Sequence, residues 1–119
     1  MALNSADILH AYCAFIPKYK YVICVCPVFP YFFLINSQPR RLTPEAQIMI
    51  TPKDFPFLDN TSYIDTSTII TIYEKEINKA TPLGSVPNHI KAEIVNAVSK
   101  SRHLSPKIKA TVSQNLLSN

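Results

Sequence analysis

Residues 19–37 read YKYVICVCPVFPYFFLINS, with no charge between Tyr21 and Ile35 and with Pro27 and Pro30 near the middle. A membrane-spanning helix needs about 18 or more apolar residues in succession. This run is shorter, and each proline would remove a hydrogen bond from a helix interior. Its halves are rich in β-branched and aromatic residues: Val22, Ile23 and Val25, then Tyr31, Phe32, Phe33 and Ile35. That composition, with proline boundaries, predicts two strands joined at Pro27–Pro30. In the first strand Tyr19, Tyr21, Ile23 and Val25 share one face, and Lys20, Val22, Cys24 and Cys26 share the other. Both faces are largely apolar, so the hairpin is expected inside a sheet, covered on both sides or curled into a small barrel.

The flanking segments extend the sheet. Asn4–Cys13 reads equally as a short helix capped by Asn4 or Ser5 or as a first strand. Phe15–Lys20 is a loop into the hairpin, and QPRRLTPEA at 38–46 is a loop with adjacent Arg40 and Arg41. Gln47–Thr51 alternates and stops at Pro52, which predicts a strand. Thr61–Tyr73 has the clearest β propensity in the chain, with a break or bulge expected at Thr66–Thr68. From Glu74 the segment KEINKATPLGSV is expected to be a charged connection ending at Gly84, the single glycine.

Two helices are predicted to close the chain. Ile90, Ile94 and Val98 form one stripe within Pro87–Arg102, with Pro87 near its start. Ser105 caps a second helix that has Pro106 at its first position and Ile108, Val112 and Leu116 along one side. The expectation is a single α+β domain over residues 1–119. A small, mostly antiparallel barrel of about five strands occupies 6–75, and two C-terminal helices occupy 87–117.

Composition removes several function classes. With one glycine among 119 residues, neither glycine-rich phosphate-loop pattern can be written. A net charge of +4 permits an acidic partner without demanding one. No G-x-S-x-G or H-E-x-x-H occurs, and the eight acids are dispersed. Cys13, Cys24 and Cys26 read as reduced core residues; zinc is the alternative, but C-x-C with scattered histidines has no recognised ligand spacing, so no metal or cofactor is expected. MALNSADIL lacks the charged head and long apolar run of a secretory signal, so a cytoplasmic protein without a membrane segment is expected.

The polar ends of the hairpin carry the functional argument. Lys20 enters its first strand, Asn36 and Ser37 leave its second, and Arg40 and Arg41 follow. The entry of one antiparallel strand lies beside the exit of its partner. Lys20 and Ser37 are therefore expected at one end of the sheet with the arginines just beyond, a grouping suited to a phosphate. The competing reading, favoured by these residues alone, is solvated strand-end charge that protects an edge. Phe55, Phe57, Leu58 and Tyr63 could stack on bases, but core packing is the stronger expectation for aromatic residues there.

The lysine-rich entry, YVICVC, the short turn, FFLINS and DFPFLDNTSYIDTSTI together resemble the MazF/PemK-like superfamily, in its divergent phage- and island-encoded branches. The resemblance covers residues 6–75. It implies an SH3-like barrel followed by helices, a homodimer, an acidic antitoxin protein as partner, and metal-independent cleavage of single-stranded RNA. It would put catalytic roles on Lys20 (or Lys18) and Ser37; Lys18, with the Arg40 and Arg41 of the strand-end grouping, would bind substrate. Lysine stands where the family has arginine, serine where it has threonine, and the family's glycine- and arginine-rich loop is missing. The leading reading is therefore such an endoribonuclease or a degenerate RNA-binding relative of it, and a non-catalytic protein-interaction module of a phage or defence system is the alternative.

Overall fold

The charge-free stretch folds as an antiparallel hairpin with its turn at 27–30, at the centre of a computed structural model that describes residues 2–118. In chain order the elements are β1 (Asp7–Cys13), β2 (Lys18–Cys26), β3 (Tyr31–Asn36), a 3-10 turn (Pro44–Ala46), β4 (Gln47–Ile50), β5 (Ser62–Ile70), α1 (Glu74–Lys79), β6 (Thr81–Ser85), α2 (Asn88–Ser99) and α3 (Pro106–Leu117). The strands make one sheet in the order β4-β5-β3-β2-β1-β6, and every neighbouring pair is antiparallel. The expected α+β class is what the chain adopts. The expected five-stranded barrel is corrected to six strands, and the sheet stays open, with β4 and β6 as its two edges.

Alternation along the hairpin divides the interior into two layers. Ile23, Val25, Phe33 and Ile35 face α2 and α3, meeting Ile90, Ile94, Val98, Val112 and Leu116. Val22, Cys24 and Phe32 face the other way and pack with Leu9, Ala11, Cys13, Ile72 and Ile77, the last from α1. Phe32 and Phe33 are both fully buried, so each stabilises the fold by roughly 2–3 kcal/mol. A hairpin apolar on both faces needs cover on both sides, and the helices provide it. Phe55 and Leu58 join the larger layer, as the packing expectation held.

The N-terminal ambiguity resolves as a strand, since β1 pairs with β2 from Ile8–Ile23 to Cys13–Lys18. The break expected at Thr66–Thr68 is a bulge. Leu34 pairs with Asp65 and Phe32 with Ile70, so β5 carries extra residues between them. A second irregularity at Val25 interrupts the strict alternation that would align Cys24 with Cys26. All three cysteines are free and buried, and burial pushes the Cys24 thiol up to about 12.

The segment after Tyr73 differs from its expected role as a plain connection. Glu74 and Glu76 lie in the first turn of α1 and Lys79 in its last, matching the helix dipole. Thr81–Ser85 then adds to the free side of β1 as β6. Gly84 has φ +104° at the register shift of that pair, where a side chain would strain the backbone. Both C-terminal helices form on their predicted stripes, α2 starting just after Pro87 and ending at Ser99, short of the expected Arg102. The Ile108 N–H donates to Ser105 Oγ at 3.2 Å, with Pro106 starting α3.

Candidate phosphate-binding cleft

The hairpin's burial runs out at its polar end: β2 is exposed at Lys18 and Tyr19, half-buried at Lys20 and Tyr21, and buried from Val22 onward. There a cleft of about 380 Å³ opens, lined by Lys20, Asn36, Ser37, Arg40 and Asp65 on a floor of Ile16 and Leu34. Lys20 Nζ donates to Asn36 Oδ1 at 3.0 Å, tying the two strands together one step beyond the Tyr21–Ile35 pair. Ser37 is the first residue past β3 and is exposed. Around the strand ends lies a smaller cleft of about 210 Å³, and Lys20, Asn36 and Ser37 line it too. The larger cleft lies on the Val22–Leu34 face of the sheet and the smaller on the Tyr21–Ile35 face, and these three residues at the strand ends line both.

Burial lowers the Lys20 pKa from the usual lysine value, and the neighbouring Lys18 charge lowers it further, against a smaller opposing effect of Cys13. The ammonium is thus held in a place that disfavours its charge. An arriving anion would offset both effects.

Arg40 sits differently from the residues around it. Its Nη1 lies 3.2 Å from Asp65 Oδ2, and the carboxylate is 1% exposed while the guanidinium is 55% exposed. Asp65 also accepts from Gln47 Nε2 at 3.0 Å, from the Ser67 N–H at 2.9 Å and from the Ser67 hydroxyl. Burial works against the charge on Asp65, but the hydrogen bonds from Ser67, Gln47 and Arg40 outweigh it and hold the carboxyl below the usual carboxylate range. The Arg40 N–H donates to Gln47 Oε1 at 3.2 Å, so the loop after β3 is pinned to the start of β4. One face of Arg40 is spent on this clamp, and the rest reaches the cleft.

Lys20, Ser37 and Arg40 thus share one cleft. Lys18 and Arg41 lie outside its lining, and both are exposed. Asn36 and Asp65 are site residues that the sequence-based site set lacks. Asp65 had a signal: it is the lone acid between Asp59 and Glu74, in the middle of the strongest β run. A charge at such a position is buried with partners or not buried at all. Its partners on β4 and in the loop are visible only after folding.

Among the described residues, no three His, Cys, Asp or Glu side chains are grouped so as to hold a metal ion. No helix among them is long and apolar enough to cross a membrane. The fold and site define an α+β protein with a cation-bearing cleft at the open end of its central hairpin. Compared with known proteins, the chain matches no family model and no curated sequence.

Proposed function

We propose that the chain is a MazF/PemK-like endoribonuclease that grips a phosphate of single-stranded RNA at the Lys20–Ser37 rim. One observation carries the reading: a half-buried ammonium, disfavoured by its surroundings, shares a cleft with an exposed hydroxyl, and the acid lining that cleft, Asp65, is already paired with Arg40. In the reaction a ribose 2′-OH attacks the adjacent phosphorus. The O2′–P bond forms as the P–O5′ bond breaks, the 2′-OH proton passing to water and O5′ taking a proton from water, which leaves a 2′,3′-cyclic phosphate and a 5′-OH. Lys20 stabilises the charge growing on the phosphoryl oxygens, and Ser37 donates to one of them to fix its orientation. The chemistry uses no metal. The partners proposed with this activity are a second copy of the chain and an acidic antitoxin, and the compartment is the cytoplasm.

The test is incubation of purified protein with mixed single-stranded RNA in a chelator, with the new ends mapped. Cyclic-phosphate and 5′-hydroxyl ends that fall by about 10²–10³-fold in Lys20→Ala support the reading. Intact RNA under all conditions overturns it.

A second reading, a non-catalytic interaction module, is favoured by two aromatic pairs in which Phe15, Tyr73 and Phe29 are exposed and Tyr31 is half-buried. Phe15 and Tyr73 lie 5.7 Å apart between ring centroids, and Phe29 and Tyr31 stack at 5.2 Å beside the hairpin turn. Loss of a partner protein on Phe29→Ala, with RNA left intact by the wild type, selects this reading.

A further inference from the structure

The smaller hollow beside the rim is bordered by rings. His10 on β1 lies 4.9 Å from Tyr21 and 5.5 Å from Tyr19 on β2, centroid to centroid. Tyr12 meets Tyr19 edge-on at 5.4 Å, and Phe57 meets Tyr21 at 4.8 Å. Alternation explains the row: His10 and Tyr12 share one face of β1, Tyr19 and Tyr21 the matching face of β2, with His10 opposite Tyr21 and Tyr12 opposite Tyr19. This is the face that α2 and α3 cover farther along the strands, and the row lies where burial along β2 gives out. Tyr19 is 65% exposed. His10 tilts by 37° against Tyr19 and by 39° against Tyr21, and Tyr19 is the most exposed of the three.

We infer that this row is a base-stacking platform: a nucleotide next to the phosphate held at Lys20 lays its base on Tyr19 and His10. The inference rests on the RNA reading above and adds where the bases go. Charge supports this occupant, because the hollow's lining includes Lys20, Asn36, Ser37 and Ser62 and no carboxylate. The rings lie on the sheet face opposite the larger cleft, and Lys20 and Ser37 at the strand ends border both, so a strand crossing the open end of the hairpin at these residues lays a neighbouring base on the rings. Aromatic platforms beside a cationic track are the usual way to hold single strands with little sequence preference.

The experiment measures binding of a fluorescent mixed-sequence RNA octamer, and of the same octamer with abasic sites at its centre, across a salt series. Tyr19→Ala weakens binding of the intact octamer by about 5- to 100-fold and leaves the slope of log affinity against log salt unchanged. Lys20→Ala reduces that slope by about one. The abasic octamer binds wild type and Tyr19→Ala equally, and Tyr19→Trp retains wild-type affinity for the intact one. Tyr19 is exposed, so its substitution leaves the thermal melt in place, which is checked by circular dichroism. Equal affinity of Tyr19→Ala and wild type for the intact octamer, with binding lost in Lys20→Ala, overturns the platform and leaves the phosphate site standing. Absence of any RNA binding by wild type overturns both. Self-association that disappears in Tyr19→Ala without RNA binding assigns the row to contact between copies and also overturns the platform.

Discussion

The two ends of the β2–β3 hairpin come from the same pair of strands and are opposite in character. Toward the turn, Val22–Cys26 and Phe32–Phe33 are covered by helices on both faces, and even the cysteine sulfurs are sealed. Toward the open end, cover is lost, and a lysine, an asparagine, a serine and a row of rings meet solvent. The closed end contributes stability, while the open end holds a charge in a place that does not favour it. Stability and binding chemistry are thus divided along the length of one strand rather than between domains, and that division can be attacked from either side.

The largest contrast is chemical. The buried thiols of Cys24 and Cys26 in native protein are expected to react with a thiol reagent at least about 10³-fold more slowly than in denaturant, because labelling must wait for unfolding. Labelling of Cys24 at the free-thiol rate in native protein would break the idea of a sealed end. Next comes Phe33→Ala, which removes a fully buried ring between sheet and helices and costs about 3–5 kcal/mol in a urea melt. A cost under 1 kcal/mol would show that the closed end does not carry the fold.

Asp65→Ala follows at roughly 2–3 kcal/mol. It orphans the donors of Ser67 and Gln47 in the interior, but Arg40 is mostly in water and adds little. The folded pKa of Asp65 is depressed, so its charged form stabilises the native state fully above the ordinary carboxylate value of 3.8. That contribution fades as pH falls from there through the lower folded value. The stability gap between wild type and Asp65→Asn therefore narrows on acidification below that point. A gap that widens there would contradict the hydrogen-bond network described.

The smallest effect is also the most telling for the open end. Lys20→Met is expected to leave stability within about 0.5 kcal/mol, because relief of a charge that burial and Lys18 oppose offsets loss of the hydrogen bond to Asn36. Its folded pKa is lowered, so the cost of its charge is present at neutral pH. That cost is relieved as pH rises through the lowered value toward 10.5. A clear loss of stability in Lys20→Met would make the lysine a structural residue.

Local chemistry explains which parts were legible in the sequence. The hairpin follows from prolines and β-branched runs, α3 from Ser105, Pro106 and a four-residue apolar spacing, and the bulge from a cluster of hydroxyl residues in β5. The meeting of Lys20 with the end of β3 followed from antiparallel geometry. Each of these is decided by residues close together in the chain or by one strand pairing. The strand order, the openness of the sheet and β6 were decided otherwise. TPLGS has no alternation of its own and becomes a strand because the free side of β1 offers unpaired backbone groups. The Arg40–Asp65 clamp spans 25 positions, and the ring row spans a loop between β1 and β2. Such contacts depend on which surfaces remain uncovered once the core has packed, a quantity no stretch of sequence contains.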